Sequence, residues 1–255
     1  MTTFLTNAGF QPPNITFIPC SGLNGTNITT KPPASTIPWY RGPTLLQQLE
    51  SSHTYTRPVT KPLRLTVTDV FKSGLQNNLL SISGRIDSGF LQEGEPLIII
   101  PSREECYAKS IHVDDKPRKW AVAGHNVVIH IVPKGDELRP RPGDVMCKPS
   151  APLIPLRTFK VKLLAFELVT PMNVDVHRGI LHAPGKITRL VKTIDKATGE
   201  VLKKKPRAVT PGALGVVQVE LINEGQMVPL EGGMKVVLRA GGVSVAAGIV
   251  EGGGD

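Results

Sequence analysis

The feature that most constrains this chain is the alternation of apolar and polar residues in Lys61–Gly94. Leu63, Leu65 and Val67 occupy every second position, and a second alternating run follows over residues 79–86. Such alternation is typical of strands that bury one face, because successive side chains of a strand point to opposite faces. Turn signals then recur about every 8–12 residues to the end of the chain. The pattern predicts an all-β fold of two consecutive antiparallel β-barrels.

The first 50 residues have a different character. Ile15–Pro19 is apolar enough for a short buried strand, a polar glycine-containing turn follows, and Thr44 suits the N-cap of a helix over Leu45–Glu50. A strand, a turn and a helix in this order are typical of an α/β sheet. We therefore predict a short α/β remnant over residues 1–50, a polar linker over 51–60, and barrels over 61–150 and 156–251.

The positive charge points to an acidic partner. The net charge is +9 and the isoelectric point is about 9.6, a balance that favours nucleic acid. The cations cluster in three places, each predicted to contact either RNA or a partner protein, with a solvated loop as the alternative. The predicted contact residues are Lys116, Arg118 and Lys119 in one loop, Arg139 and Arg141 on one side of an extended segment, and Lys203, Lys204, Lys205 and Arg207 in a loop after a turn.

No residue pattern indicates catalysis or a metal site. Cys20, Cys106 and Cys147 are far apart without a C-x-x-C pair, so we predict buried reduced thiols rather than zinc ligands or disulfides. We place His177 and His182 on one strand, over Val176–His182, facing opposite sides, an arrangement that does not favour a shared metal ion. Trp120 is interpreted as a packed turn residue rather than a stacking platform for a base.

The N-terminal segment carries a recognisable resemblance. It reads FLTNAGFQPPNITFIPCSGLNGTNI and then IPWYRGPTLLQQLE, which resembles the end of the GTP-binding domain in elongation factor one alpha. The resemblance implies that Ser21, Gly22 and Leu23 are a remnant of the guanine-contacting motif. The phosphate loop G-x-x-x-x-G-K-[S/T], D-x-x-G and N-K-x-D do not occur in the sequence. We expect no catalytic residues and no cofactor for this chain, with GTP and Mg belonging to a full-length GTPase parent.

The two barrels resemble domains two and three of translational GTPases. The resemblance is carried by SGRIDSGFLQEGEPLIIIPS, by WAVAG and by RPRPGDVMC. Within this superfamily, KPLRLTVTDVFK, DKATGEVLKKKP and LRAGGVSVAAGIV resemble the Hbs family of ribosome-rescue factors. The chain departs from the family at Leu230–Arg239, where LEGGMKVVLR replaces an L-G-R-F-x-L-R stretch.

This resemblance implies a function and partners. Hbs factors deliver Pelota (also called Dom) to stalled ribosomes in no-go and nonstop mRNA decay, so we expect a Pelota-type protein and small-subunit ribosomal RNA as partners. Fungal relatives link the family to the exosome and the Ski complex. We expect a cytoplasmic monomer that does not contact membranes. The alternatives are a release factor three-like termination GTPase, which resembles the chain in its hairpin, and an elongation-type tRNA carrier.

Overall fold

The computed structural model describes residues 2, 12–52, 56–72, 80–135, 138–196 and 198–253. Three residues of the predicted linker, 53–55, and the first position of the second alternating run, Leu79, lie outside these ranges. The chain divides into two compact units, Met1–Thr56 and Arg57–Asp255. No helix in the described ranges combines the length and apolarity that crossing a bilayer requires.

The first unit contains a 3-10 turn at Pro12–Asn14 and one helix, α1, at Leu45–Glu50. The helix begins with a capping box: the Thr44 hydroxyl accepts from the Gln47 N–H at 3.2 Å, and the Gln47 side chain accepts from the Thr44 N–H at 3.1 Å. These bonds satisfy two backbone donors that a helix start otherwise leaves unpaired. The structure confirms the predicted helix and its N-cap.

The predicted strand at Ile15–Pro19 is wrong. These residues have no regular secondary structure, and the Phe17 side chain is 49% exposed. A strand requires a neighbour to exchange backbone hydrogen bonds, and residues 12–52 contain no second strand to provide one. Apolar composition alone therefore overstated the order of this segment.

The second unit begins with a closed six-stranded antiparallel barrel. The ring runs in the order β4-β9-β1-β2-β8-β5 and closes through pairing of β4 with β5. One further strand extends the sheet beyond β5, and two short strands form a separate ribbon. The strands are β1 Arg64–Lys72, β2 Leu80–Ser88, β3 Phe90–Gln92, β4 Pro96–Ile100, β5 Glu104–Val113, β6 Lys116–Arg118, β7 Trp120–Val122, β8 Asn126–Pro133 and β9 Val145–Cys147.

The core of this barrel follows the alternation in the sequence. Leu65, Val67, Ile82 and Ile86 are fully buried in one apolar cluster. A bulge between Val67 and Asp69 shifts the register of β1, which takes the strand out of strict alternation after Val67. The all-β interpretation is confirmed, and the bulge explains why apolar residues in β1 recur only nearly every second position.

A second six-stranded antiparallel barrel follows. Its ring runs in the order β11-β15-β16-β10-β14-β12, closes through pairing of β11 with β12, and carries β13 as an extension of β12. The interior is filled by aliphatic side chains around Phe159. The strands are β10 Thr158–Ala165, β11 Asn173–Arg178, β12 Leu181–Ile194, β13 Val201–Lys204, β14 Leu214–Leu221, β15 Lys235–Ala240 and β16 Val243–Gly253.

The two barrels contact each other through ion pairs and a small apolar cluster. Arg64 forms a bidentate pair with Glu231, with both N···O distances 2.9 Å, and also donates to the Ala151 carbonyl. Arg178 donates to Asp87 at 2.7 Å and to the Thr66 hydroxyl at 3.1 Å. Met234 of the second barrel packs beside a buried cluster formed by Ile100, Val145, Cys147 and Leu153.

Candidate nucleic-acid and partner interface

The second barrel carries a basic surface on its outer side, which we call the lysine face: Lys160, Lys162, Arg189, Lys192 and Lys204. Cross-strand register fixes their order, because Lys162 pairs with Val216, Val216 with Lys192, and Lys192 with Lys204. A neighbouring row joins Lys160, Gln218 and Arg189. The cations thus lie on β10, β12 and β13, and β14, which contributes Val216 and Gln218 to the two rows, runs between β10 and β12.

Two bulges in β12 create part of this surface. They lie between Ile187 and Arg189 and between Leu190 and Lys192. Each bulge adds a residue and reverses the alternation, so that Arg189 and Lys192, three positions apart, both lie on the outer rows while Leu190 remains in the core. Without the bulges, residues three apart on a strand would face opposite sides.

In the part of the chain that the structure describes, the charges of the lysine face are not neutralised by acidic side chains. Among the described residues, no ion pair includes any of its five cations, and the acid beside it, Glu220, pairs with Arg157 at 3.6 Å. Lys192 and Lys204 are direct cross-strand partners, an arrangement of like charges that lowers stability. Residues 157–253 contain 14 Lys and Arg against 8 Asp and Glu. A bound polyanion would relieve this repulsion.

Of the predicted cations in residues 203–207, Lys204 belongs to the lysine face, and Lys203, Lys205 and Arg207 border it. Lys203 and Lys204 lie on β13 rather than in a loop, which corrects the sequence interpretation, and only Lys205 and Arg207 follow the strand. Lys205 adopts a φ of 48°, which turns the chain at the end of β13. Arg189, Lys205 and Arg207 line an open depression of about 480 Å³ between Pro171 and Pro206.

The second group of predicted cations lies on the first barrel. Lys116 and Arg118 belong to β6, which pairs with the end of β5 after a turn at Asp114 and Asp115, so they lie on a hairpin strand and not in a loop. All three residues of β6 are exposed. The following Trp120 is 57% exposed. The expectation that Trp120 is packed is therefore wrong, and its ring is available beside Lys119.

The third group is separated from the other two. Arg139 and Arg141 both line a cleft between the barrels, opposite Leu181 and His182. The Arg139 N–H donates to the Glu104 carboxylate at 3.0 Å, and the Arg141 N–H donates to the Asp144 carboxylate at 2.8 Å. The structure thus brings these two arginines together as predicted, but on a concave site formed by both barrels.

Ser21, Gly22 and Leu23 form a turn in the first unit. The Ser21 N–H donates to the Thr26 carbonyl, and its hydroxyl accepts from the Asn24 N–H at 3.3 Å. Leu23 is 95% exposed. The turn presents backbone and hydroxyl groups at the surface, and its role as a guanine-contacting remnant stays a prediction.

Comparison with known proteins identifies the family. Protein HBS1 of Drosophila melanogaster is 31% identical over 98% of this chain and 38% of its own length. Over nearly all of its length, the chain is similar to part of an elongation factor 1-alpha-like translational GTPase. The match confirms the resemblance drawn from the sequence motifs. The family model described as "GTP-eEF1A C-terminal domain-like" matches residues 158–251, which contain all the strands of the second barrel except the last residues of β16.

Two further known proteins align over most of the chain. The elongation factor 1 alpha-like protein of Schizosaccharomyces pombe is 28% identical over 95% of this chain and 40% of its own length. A structure of sup35 complexed with GDP shares the fold, with a TM-score of 0.68 and 22% identity over 100% of this chain and 63% of that chain. This chain therefore spans about two fifths of the length of these two sequence relatives.

The histidines and cysteines of the chain correct two expectations. The predicted strand over Val176–His182 is a hairpin that turns at Gly179, so His177 and His182 are cross-strand partners with rings stacked 4.7 Å apart rather than facing opposite sides. The described residues nonetheless contain no cluster of three metal ligands. Cys106 and Cys147 are buried as expected, whereas Cys20 is exposed. Burial raises the pKa of Cys106 to about 12, which keeps its thiol protonated.

Sequence reasoning missed four members of the lysine face: Lys160, Lys162, Arg189 and Lys192. A signal for two of them was present, because Lys160 and Lys162 alternate with Phe159, Val161 and Leu163 in β10. That alternation places both lysines on the outer face. No local signal marked Arg189 and Lys192, since their common orientation depends on bulges that only pairing with β14 defines.

The buried acid Asp144 makes the stability of the compact unit Arg57–Asp255 depend on pH. Burial raises the pKa of Asp144 to about 6, although the Arg141 N–H and side chain oppose the shift, and Glu104 adds to it. An acid with a raised pKa favours the folded state when protonated, so its contribution to the unfolding free energy increases as pH falls through about 6 towards 4. The maximum change is about 3 kcal/mol, from a shift of about two pKa units.

We expect Asp144→Asn to remove this contribution. The amide oxygen can still accept from the Arg141 N–H, but the side chain no longer ionises. The free energy of unfolding is measured with urea at pH 4.5 and at pH 7.5. Its increase from pH 7.5 to pH 4.5 should be larger for the native protein than for the variant. Asp115→Asn, at an exposed acid in the turn between β5 and β6, is the control. Equal pH dependence in the native protein and Asp144→Asn would contradict the assignment.

Proposed function

We propose that this chain is the barrel module of an Hbs-like ribosome-rescue factor. It binds a Pelota-type protein and small-subunit ribosomal RNA during the dissociation of stalled ribosomes in the cytoplasm. GTP hydrolysis, with GTP and Mg as cofactors, belongs to the GTPase domain of a longer parent, and this module contributes binding. The sequence match to Protein HBS1 over 98% of the chain supports the choice of family member.

The observation that carries the proposal is the lysine face. Its cations lie on three strands, form no ion pair among the described residues, and include like charges placed directly opposite each other. Phosphates spaced along an RNA backbone can neutralise such a row, and each neutralised phosphate releases counterions. The exposed Trp120, beside the basic hairpin strand β6, provides a second surface suited to RNA because its ring can stack on a base.

The test uses two ligands with the full chain. A 20-base-pair RNA duplex, titrated by fluorescence anisotropy at several KCl concentrations, should bind with an affinity that falls steeply with salt. Lys192→Gln/Lys204→Gln should weaken binding and reduce the slope of log K against log salt by about 1–2, since each lost phosphate contact removes about 0.9 for a duplex. The matched control is Lys61→Gln/Lys134→Gln, which removes the same charge from the first barrel.

The second ligand distinguishes the family members. Calorimetric titration with a Pelota-type protein should give binding, and the termination factor titrated in parallel should not bind. Binding of the termination factor alone would transfer the assignment to a release factor three-like protein. Equal weakening of RNA binding by both lysine double variants would contradict the role of the lysine face, because it would show that only net charge matters.

A further inference from the structure

The open depression of the second barrel adjoins the lysine face and is large enough to hold a ligand. Its volume is about 480 Å³, within the range of about 300–1,000 Å³ typical of binding sites. Three segments line it: Pro171 before β11, the part of β12 from Thr188 to Leu190, and the segment from Lys205 to Arg207 that follows β13. The whole lining belongs to one barrel.

The charged groups of the depression all have one sign. Arg189, Lys205 and Arg207 line it, and its lining contains no aspartate, glutamate or histidine. Among the described residues, none of these three cations takes part in an ion pair. Positive charges that share a concave surface repel one another, and the low dielectric of the protein beneath them strengthens the repulsion. An anion in the depression relieves this repulsion.

The backbone holds two of these cations in place. Lys205 has a φ of 48° and donates its N–H to a backbone carbonyl of β12 at 2.8 Å. Pro206 is buried, and Val169 and Val209 exchange two backbone hydrogen bonds of 2.8 and 2.9 Å just beyond Arg207. The segment that carries both cations is therefore fixed on either side, so that less conformational entropy is lost when a ligand binds.

A β-bulge forms the other side of the depression. Thr188 is the extra residue of the bulge between Ile187 and Arg189, and it has no partner in the register with β14. Bulges redirect side chains and are common beside active sites. The Thr188 hydroxyl is exposed, and its hydrogen bond to the Gln218 carbonyl is long, at 3.4 Å. This donor is therefore available to an anion in the depression.

The arrangement of the charges distinguishes two kinds of phosphate. A phosphodiester within an RNA chain carries one negative charge, and a row of cations such as the lysine face suits a series of them. A phosphate monoester carries a charge of about −1.5 to −2 at pH 7 and has three acceptor oxygens. Three cations around one depression match the monoester, because each oxygen can accept from a different side chain and guanidinium groups bind phosphate in a bidentate geometry.

The surroundings of the depression favour RNA as the source of the monoester. Arg189 belongs both to the depression and to the lysine face, so an RNA on the lysine face reaches the depression along a continuous basic surface. A phosphorylated peptide needs apolar contacts beside its phosphate. Of the apolar residues in the lining, Leu190 and Pro206 are buried, and only Pro171 is exposed.

We propose that this depression binds the terminal phosphate of an RNA strand. Arg189, Lys205 and Arg207 contact the monoester, and the adjoining nucleotides extend over Lys192 and Lys204 of the lysine face. The inference rests on the proposed function, since it takes RNA as the ligand of the second barrel. It adds a preference for RNA ends that carry a phosphate, which the lysine face by itself does not provide.

The experiment compares two RNA hairpins that differ only at the 5′ end. Each has a 10-base-pair stem, a fluorescent label in the loop, and either a phosphate or a hydroxyl at its single 5′ terminus. Fluorescence anisotropy with the full chain at pH 7.5 measures both affinities. The phosphorylated hairpin should bind about tenfold more tightly, the effect expected of one charge-assisted hydrogen bond. Equal affinities of the native protein for the two hairpins would overturn the proposal.

A double variant locates the preference in the depression. Lys205→Gln/Arg207→Gln should reduce the preference to near unity, and thermal unfolding verifies that the variant, altered only at exposed positions, is folded. The matched control is Lys61→Gln/Arg103→Gln, which removes one lysine and one arginine from exposed positions of the first barrel and should retain the preference. An undiminished preference in the first variant, or an equal loss in the control, would refute the site.

Acidification provides an independent readout. The second pKa of a phosphate monoester is about 6, so the preference should fall by about threefold between pH 7.5 and pH 5.5 as the phosphate loses its second charge. The cations of the depression stay charged over this range, and its lining contains no acid or histidine that titrates there. A preference that is the same at both pH values would contradict recognition of the dianion.

Two further comparisons separate this site from the lysine face and from a peptide site. Lys192→Gln/Lys204→Gln should weaken both hairpins to the same extent and leave the phosphate preference intact. Unchanged affinities in that variant, with the preference retained, would reject the lysine face and support the depression. A phosphoserine peptide that displaces the phosphorylated hairpin at a lower concentration than the unlabelled hairpin does would overturn RNA as the ligand.

Discussion

Replacing Arg64 with alanine should lower the free energy of unfolding of the barrel unit by about 2–3 kcal/mol. The Arg64 side chain is 9% exposed and donates to both Glu231 oxygens and to the carbonyls of Leu63 and Ala151. Removal of one partner from a buried pair typically costs about 3–5 kcal/mol, and the partial exposure of Glu231 lowers the expected value. Chemical denaturation followed by circular dichroism measures the loss.

The control for this substitution is Arg157→Ala. Arg157 and Glu220 are 3.6 Å apart and both are more than two fifths exposed, so their pair should contribute less than about 1 kcal/mol. A double-mutant cycle with Glu231→Ala separates the energy of the Arg64–Glu231 pair from that of the two hydrogen bonds to backbone carbonyls. If Arg64→Ala and Arg157→Ala unfold at the same denaturant concentration, the inter-barrel pair does not stabilise the fold.

Gly248→Ala should destabilise the second barrel by about 3 kcal/mol. Gly248 lies in β16 opposite Leu163 of β10. A Cβ added at Gly248 would approach the Leu163 Cα at 2.7 Å and would also collide with the Lys162 carbonyl oxygen. These are backbone atoms of a central ladder, so relief requires strand displacement and broken hydrogen bonds. Overpacking of this kind costs about 1–3 kcal/mol, and occasionally more.

Gly135→Ala is the matched control for the glycine substitution. No heavy atom lies within 4 Å of a Cβ built at Gly135, so this variant should change the unfolding free energy by less than about 0.5 kcal/mol. Thermal unfolding compares the two proteins directly. An unchanged midpoint for Gly248→Ala would mean that β10 and β16 separate more easily than the closed ring implies.

The two inter-barrel ion pairs and the cleft belong to one structural arrangement. Arg64 and Arg178 connect the barrels, and Gly143 brings the first-barrel segment against Leu181. The arginines of the cleft are carried by that same segment. Loss of Arg64 should therefore affect the cleft as well as stability, since the two walls of the cleft lie on different barrels.

Much of the fold was predictable because its determinants are local. The alternation over Leu63–Val67 and Phe159–Leu163 identified strands, and Thr44 followed by Gln47 identified the start of α1. Each of these signals acts within a few residues of the chain. Where a prediction failed, as at Ile15–Pro19 and His177–His182, the deciding factor was the presence or absence of a partner strand or a turn.

The sequence by itself determined that this chain forms strands with one buried face, ends them at glycine turns, and carries excess positive charge. Only the tertiary structure decided where that charge lies. Bulges in β12 placed Arg189 and Lys192 beside Lys162 and Lys204, and barrel contact put Arg139 and Arg141 in a cleft. The physical reason is that strand register and barrel packing join residues far apart in sequence, whereas a local pattern specifies only which face of its own strand a residue occupies.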